Sequence, residues 1–176
     1  MAPLLRPSEC SVLIVDALNS QDSEFTVIAN RDRVLEAASV CGIPSFVALY
    51  LHDPTTGEPK NLSDSARYYS FPAIGVLWQD SAFGRALAQT GRSSVLLCGR
   101  WLEEYITFAA IKALSEGYDA YILADASPTR DGNAREMALL RLVQAGVVPT
   151  TTRQVIREWA ADLSDMTYMT RLLALL

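Results

Sequence analysis

One stretch of the sequence constrains the fold more than any other, because a short apolar run passes through a glycine directly into a helical pattern. Residues 94–98 read Ser-Val-Leu-Leu-Cys, a composition typical of a strand buried in a parallel sheet. After Gly99, apolar residues recur at helical spacing until Gly117 ends the pattern. Ligands of α/β sheets bind where such strands end. We therefore predict a functional site just after Gly99.

The rest of the chain repeats this alternation of strands and helices. Apolar runs predict strands at residues 11–15, 45–51, 94–98 and 118–124 and a short edge strand at 147–150. Periodicity predicts helices at residues 25–40, 80–89, 103–116, 130–145, 152–161 and 164–176. This order predicts a three-layer α/β/α sandwich around a doubly wound, mainly parallel sheet, in a single domain over residues 1–176. Residues 52–75 lack periodicity and are predicted to form a functional loop, a lid or a subunit contact.

Composition narrows the functions that the chain can serve. Half of the residues are apolar, which excludes a disordered chain, and a net charge of −5 without a basic cluster argues against nucleic acid or an anionic membrane as partner. There is no apolar run of the ~20 residues that span a bilayer, and residues 1–9 lack the apolar stretch of a signal peptide. Cys10, Cys41 and Cys98 lack metal-ligand spacing and indicate reduced thiols, so we expect a cytoplasmic protein. With His52 as the single histidine, we expect neither a metal nor a cofactor.

Several motifs occur in an order that is shared with a known family. They are Val-Leu-Ile-Val-Asp at residues 12–16, Leu-Cys-Gly at 97–99 leading to Glu103, and the strand motif Gly-Tyr-Asp-Ala-Tyr-Ile-Leu-Ala-Asp-Ala-Ser at 117–127. With them the chain resembles the isochorismatase-like (cysteine hydrolase) family, and within it the YcaC-type hydrolases of unknown substrate. The resemblance covers nearly the whole chain and implies the isochorismatase-like hydrolase fold.

The resemblance also implies where a catalytic centre lies. Family members use an Asp as base, a Lys or Arg, and a Cys nucleophile at a helix start, where the helix dipole stabilises the thiolate. Asp16 matches the Asp, whereas the cationic position falls on Phe71 and the nucleophile position on Tyr105. A phenol with an ordinary pKa near 10 is protonated at pH 7, and Cys98 is predicted to point into the core. We therefore expect no covalent thioester intermediate.

A second reaction of the family requires no cysteine. Some isochorismatases hydrolyse a vinyl ether with the Asp of the first strand as general acid. An apolar Phe71 in place of a cation favours the protonated form of a nearby carboxyl, which a general acid needs. The favoured hypothesis is therefore a divergent enzyme for a small apolar or aromatic molecule. Asp16 and Tyr105 would be its catalytic residues, and the step would be vinyl-ether or enol hydrolysis, isomerisation or a lyase reaction, by analogy in secondary metabolism.

Two other hypotheses remain open. The chain is an inactive family member that binds a ligand or an oligomeric partner, or it is an ordinary amidase-like hydrolase whose nucleophilic cysteine lies elsewhere. Residues 172–176 read Leu-Leu-Ala-Leu-Leu, which predicts an exposed apolar face unless another subunit covers it. Family members commonly form oligomers, so we expect a homo-oligomer, a dimer or larger.

Aromatic residues are candidates for the substrate pocket. Phe71, Trp78 and Trp101 form an aromatic wall if the alignment with the family holds. The alternative is that these rings fill the hydrophobic core, as large aromatic side chains commonly do.

Polar candidates for substrate binding are Arg100, Asn19 and His52. Arg100 follows the key glycine and would bind a substrate carboxylate, although solvated surface or a subunit salt bridge is the alternative role. Asn19 lies in a polar loop after the first strand, and His52 ends the second strand, from which it would reach the cleft or serve a structural role.

Acidic residues near the site have structural alternatives as well. Glu103 and Glu104 form a carboxylate pair for acid–base work or simply complement the dipole of their helix, and the second role is favoured. Asp125 ends a predicted strand, where its carboxylate would bind backbone N–H groups of residues 127–130.

Overall fold

The sheet has the predicted parallel, doubly wound arrangement. The computed structural model describes residues 4–17, 25–50, 64–78 and 82–176. These residues contain a six-stranded sheet in the order β3-β2-β1-β4-β5-β6, in which every neighbouring pair is parallel. The strands are β1 Cys10–Ala17, β2 Ser45–Tyr50, β3 Ala66–Phe71, β4 Ser94–Gly99, β5 Asp119–Leu123 and β6 Val148–Thr150. The chain reverses its winding direction between β1 and β4, so the switch point lies between these strands.

Helices cover both faces of the sheet, as the three-layer prediction requires. The α-helices are α1 Phe25–Val40, α2 Ala82–Ala88, α3 Thr107–Ser115, α4 Gly132–Ala145, α5 Thr152–Asp162 and α6 Met166–Leu173. A π-helical turn, Leu102–Ile106, precedes α3, and short 3₁₀ turns occur at Pro7–Glu9, Ile74–Val76 and Ala124–Ala126. No helix in the described ranges is both long and apolar enough to cross a membrane.

Successive residues of the strands enter two separate hydrophobic cores. Leu13 and Val15 of β1 enter one core, which also contains buried residues of α2, α3 and α4; we call it the α3 core. Val12 and Ile14 enter the other core, which contains buried residues of α1, α5 and α6; we call it the α1 core. Such runs are apolar at every position because both faces of the strand are covered.

Polar side chains fix the starts of the last three helices. The side chain of Asp131 accepts a hydrogen bond from the backbone N–H of Asn133 at the start of α4. The side chain of Thr151 accepts from the backbone N–H of Gln154 at the start of α5, and that of Asp165 accepts from the backbone N–H of Thr167 at the start of α6. Each cap satisfies a backbone donor that the first helical turn leaves unpaired.

One strand lies inside a segment that was predicted to be a loop. Residues 66–71 form β3, which pairs with β2 at the edge of the sheet. Only Phe71 of this strand is buried, because an edge strand packs less completely than a central one. The prediction of a loop throughout residues 52–75 is therefore wrong for β3 and for the 3₁₀ turn Ile74–Val76. Residues 52–63 lie outside the described residues.

The C-terminal segment also differs from its prediction. Leu172 is completely buried in the α1 core, and Leu175 and Leu176 pack against the same core. Helices of the same chain therefore cover part of this apolar segment, while Leu173 remains 41% exposed. The side chains of Met166 and Tyr168 remain exposed.

Candidate active site

The candidate site lies at the carboxyl edge of the central strands. Asp16 is the penultimate residue of β1, and its neighbour Ala17 pairs with Tyr50 at the end of β2. Tyr50 in turn pairs with Phe71 at the end of β3. The strand register therefore brings the backbone of Asp16 to the same edge as both aromatic residues. The side chain of Asp16 lies outside the described part of the structure.

Gly99 makes the junction between β4 and the following helical turn possible. Its φ is +118°, and a Cβ built on it would lie 1.8 Å from the backbone oxygen of Val15. The next residue, Arg100, donates its backbone N–H to this same oxygen at 2.7 Å. A cis peptide bond joins Arg100 to Trp101, and the π-helical turn begins at Leu102. The predicted strand–glycine–helix junction is confirmed.

Three aromatic rings meet at this edge, and we call them the edge aromatic cluster. The rings of Tyr50 and Phe71 stack with centroids 5.7 Å apart, and those of Tyr50 and Tyr105 lie 5.1 Å apart at 52°. Tyr105 is part of the π-helical turn and is half-buried. The structure thus brings the rings of Phe71 and Tyr105 into contact with the same ring, that of Tyr50. Tyr50 carried no motif that marked it in the sequence.

The phenol of Tyr105 is held in its neutral form. Burial raises its pKa above the ordinary value of 10, and the negative charge of Glu104 raises it further, while Arg130 acts in the opposite direction. At neutral pH this side chain therefore offers a neutral hydroxyl to a ligand, and it is not a nucleophilic phenolate.

Arg130 connects the loop after β5 to the start of the π-helical turn. Its backbone N–H donates to Oε1 of Glu103 at 2.8 Å, and its Nη2 lies 3.6 Å from Oε2 of Glu104. Its guanidinium also lies 5.2 Å from the centroid of the Trp101 ring, within cation–π range. Both glutamates of the predicted carboxylate pair therefore contact Arg130, a residue that sequence reasoning missed.

The remaining predicted wall residues occupy core positions. Trp78 is 9% exposed and lies edge-on to Phe83 with ring centroids 5.2 Å apart, within the α3 core. Trp101 is 8% exposed. The contacts of Trp78 favour the role of a core residue over that of a pocket wall.

The polar candidates have different outcomes. Arg100 is only 8% exposed, so its alternative as solvated surface is wrong; it borders Gly99 at the switch point between β1 and β4. Asn19 and His52 lie outside the described residues.

Asp125 stabilises a different segment from the one predicted. Its Oδ1 accepts hydrogen bonds from the backbone N–H of Thr152 at 2.9 Å and from the Thr152 hydroxyl at 3.0 Å. The prediction of contacts to residues 127–130 is therefore corrected. The carboxylate fixes the first residue of α5 to the end of β5.

The three cysteines of the chain occupy environments that suit packing rather than nucleophilic attack. Cys98 is completely buried in the α1 core, as predicted, and Cys10 is completely buried at the first position of β1. Cys41 follows α1 at the opposite edge of the sheet from Tyr105 and is partly buried. Burial raises the pKa of Cys10 to about 11 and that of Cys41 to about 11. A catalytic thiol requires the opposite shift.

No metal centre emerges from the part of the chain that the structure describes. Within those residues, no group of three or more His, Cys, Asp or Glu side chains could hold an ion.

Comparisons with known proteins show which family the chain is similar to. Residues 75–154 match the family model of the isochorismatase domain. The matched residues make up a little under half of the chain. It is 28% identical over 117 residues to the probable hydrolase YcaC of Escherichia coli K12, an alignment that covers 64% of this chain and 56% of that protein. It is 27% identical over 144 residues to isochorismatase domain-containing protein 1 of Danio rerio, covering 77% of this chain and 48% of that protein. The chain thus spans about half the length of these curated relatives.

Solved structures of YcaC proteins share the fold over almost the entire chain. YcaC from Pseudomonas aeruginosa, solved with hexane-2,5-diol and covalent acrylamide, superimposes with a TM-score of 0.83 at 22% identity, covering 99% of this chain and 92% of that one. The YcaC gene product of Escherichia coli, described as an octameric hydrolase of unknown specificity, gives a TM-score of 0.82 at 24% identity with the same coverage. These matches establish the isochorismatase-like α/β fold.

Proposed function

We propose that this protein is an isochorismatase-like hydrolase that acts on a small apolar or aromatic molecule without forming a covalent thioester. The observation that carries the proposal is the edge aromatic cluster, in which Tyr105 packs on Tyr50 and Tyr50 packs on Phe71. These rings lie at the carboxyl edge of the sheet, beside the strand end that bears Asp16. Flat aromatic surfaces at a ligand-binding edge favour an apolar or aromatic substrate.

The properties of the ionisable groups favour acid catalysis over thiol chemistry. Tyr105 occupies the first helical turn as a neutral phenol. Cys10 and Cys98 are buried, the pKa values of Cys10 and Cys41 are raised, and none of the three cysteines belongs to the edge aromatic cluster. Asp16 is the carboxylic acid at this strand end. Phe71, rather than a cation, ends β3, which is separated from β1 by β2. Apolar surroundings without a nearby cation favour a protonated carboxyl.

The reaction class that this arrangement supports best is hydrolysis of a vinyl ether or enol ether. Asp16 donates a proton to the terminal carbon of the enol, which generates an oxocarbenium ion. Water adds to this ion, and the carbon–oxygen bond of the resulting hemiketal breaks to yield a carbonyl compound and an alcohol. The proton released by the added water restores the acid. The Tyr105 hydroxyl would hydrogen-bond the ether oxygen, and the rings of Tyr50 and Phe71 would hold the apolar part of the substrate.

An Asp16→Asn variant tests the role of the acid. General acid catalysis contributes about 10²–10⁴ in rate, so we expect kcat on aryl vinyl ethers to fall by at least about 10²-fold. A matched control is Asp119→Asn. Asp119 is the exposed first residue of β5, so it lies at the end of that strand away from the carboxyl edge of the sheet. Both variants should unfold at the temperature of the wild type within a few degrees. If Asp16→Asn retains more than about a third of the wild-type kcat, the proposed acid is wrong.

A second candidate function is that of a ligand-binding family member without catalytic activity. The observation that favours it is the direct contact between the rings of Tyr105 and Tyr50, whose centroids lie 5.1 Å apart, because rings that pack on each other leave less of their surface to a substrate. In that case the wild type should turn over none of the vinyl ethers and esters offered, whereas an aromatic ligand should raise its Tm. Turnover that depends on Asp16 would exclude this candidate.

We also propose that the protein forms a homo-oligomer in the cytoplasm, in a pathway of secondary metabolism. The Escherichia coli relative described as octameric supports assembly. Assembly is also supported by three exposed apolar side chains on the outer face of α4. They are Met137, Leu140 and Val143, which are 67%, 50% and 55% exposed. Sedimentation velocity would reveal a monomer if this proposal is wrong.

A further inference from the structure

A cavity opens at the carboxyl edge of the sheet, on the side of α1. It has a volume of about 380 Å³ and lies between α1, the segment that follows β5 and the first turns of α4. This volume falls at the small end of the range for small-molecule sites. Six polar residues line it: Thr26, Asn30, Asp125, Ser127, Thr129 and Arg135. We call it the α1 cavity. The edge aromatic cluster, in contrast, packs against the α3 core.

The charged groups of the α1 cavity are largely engaged within the protein. Nη1 of Arg135 donates to the backbone oxygen of Ser127 at 3.0 Å, and Nη2 donates to the backbone oxygen of Ala124. Oδ1 of Asp125 accepts two hydrogen bonds from Thr152. One guanidinium and one carboxylate therefore balance in charge, and each already holds a backbone segment in place.

The amide of Asn30 is also oriented by its neighbours. Its Nδ2 donates to the backbone oxygen of Asp125 at 3.0 Å, and its Oδ1 accepts from Nη1 of Arg33 at 2.7 Å. One N–H of this amide remains for a ligand, because an amide nitrogen carries two donors. The side chain is therefore held rigidly at the cavity wall.

Ser127 is the feature that points to a ligand. The residue is 1% exposed, and its Oγ has no hydrogen-bond partner within the described part of the chain. A buried hydroxyl without a partner is costly, so such groups in folded proteins are normally satisfied by protein, water or ligand. Ser127 lines the α1 cavity together with the hydroxyl-bearing side chains of Thr26 and Thr129.

We propose that the α1 cavity binds a small neutral polyhydroxylated molecule, a polyol or a sugar. Hydroxyl groups both donate and accept hydrogen bonds, so the three hydroxyl-bearing residues that line the cavity suit the hydroxyls of such a ligand. An anion or a cation would lose its hydration in a cavity whose own charges already cancel. Val27 and Pro128 offer apolar surface to the C–H groups of the ligand. This site goes beyond the proposed hydrolase function and does not depend on it.

Binding is tested with chosen probes on the full chain. Glycerol, D-ribose and myo-inositol serve as neutral probes, and inorganic phosphate and L-malate serve as charged probes. Saturation-transfer NMR gives Kd for each probe with the wild type and with Ser127→Ala. The control is Ser115→Ala, because the Ser115 hydroxyl is exposed and bonds to the backbone of its own helix, α3. Thr26→Val provides a second variant at an exposed position in the first turn of α1.

We expect at least one neutral probe to bind the wild type and Ser115→Ala with equal Kd. Ser127→Ala should weaken this binding about tenfold or more, and Thr26→Val should weaken it several-fold. The proposal is overturned if no neutral probe binds, or if a charged probe binds more tightly than every polyol. It is also overturned if Ser127→Ala binds the neutral probe as tightly as the wild type. If Ser127→Ala fails to fold, wild-type affinity in Thr26→Val overturns the proposal instead. A polyol-induced rise in Tm that is the same in all variants reflects exclusion from the protein surface and counts against the site.

Discussion

Replacing Gly99 by alanine should be far more damaging than replacing another glycine of similar conformation. A Cβ at this position would lie 1.8 Å from the backbone oxygen of Val15, whereas ordinary contacts begin at 3.4 Å. The backbones of β1 and β4 must therefore separate by about 1.6 Å at this point. That movement breaks the 2.7 Å hydrogen bond from Arg100 to Val15 and disturbs the start of the π-helical turn.

The expected magnitude follows from a comparison with Gly91. Gly91 also has a positive φ, +66°, but a Cβ there meets no atom within 4 Å. Gly91→Ala should therefore cost only the conformational penalty of about 1–2 kcal/mol. Gly99→Ala adds the steric conflict, and we expect a total loss above about 4 kcal/mol, a large fraction of the 5–15 kcal/mol that typical domains possess.

Urea denaturation followed by far-UV circular dichroism measures both free energies of unfolding. Because the slope against urea reports the surface exposed on unfolding, the two variants are comparable only if their slopes agree. Failure of Gly99→Ala to fold, while Gly91→Ala folds, also meets the expectation. If the two variants lie within about 1 kcal/mol of each other, the close approach of β4 to β1 does not constrain the site as argued.

Two further predictions concern titration. The pKa of Cys10 is raised from 9.0 to about 11 in the folded protein, so its contribution to stability is complete below pH 9 and is lost as pH rises through 11. We expect the free energy of unfolding to fall by about 2 kcal/mol more between pH 9 and pH 11 in the wild type than in Cys10→Ala; equal pH slopes in urea titrations would contradict this. Because Glu104 raises and Arg130 lowers the pKa of Tyr105, Glu104→Gln should lower that pKa and Arg130→Gln should raise it. Absorbance at 295 nm, taken as the difference from Tyr105→Phe, measures both shifts, and shifts of the same sign in the two variants would refute the assignment.

Continuous apolar runs made most of the sheet predictable from the sequence. The strands β1, β2, β4 and β5 are covered on both faces, so every residue in their centres is apolar and no alternation obscures the pattern. The edge strand β3 reads Ala-Arg-Tyr-Tyr-Ser-Phe, in which an arginine and a serine interrupt the apolar residues. Because β3 lies at the edge of the described sheet, its side chains are more exposed than those of a central strand, and polar residues are tolerated there.

The parts of the site that escaped prediction depend on contacts between distant residues. The oxygen of Val15 that requires a glycine at position 99 belongs to a strand far back in the chain. Asp125 binds Thr152, which lies 27 residues further on. The role of Tyr50 depends on the register between β2 and β3, which no local pattern specifies. By contrast, the position of Tyr105 in the turn after Gly99 followed from spacing alone.

The last strand determines where the sheet stops. β6 contains three residues, and its central one is Pro149, which has no backbone N–H to offer. An incoming strand at this side would find a template too short and too poor in donors to extend the ladder. The fold therefore protects this border from edge-to-edge aggregation, so contacts between copies of the protein on this side must be made by side chains.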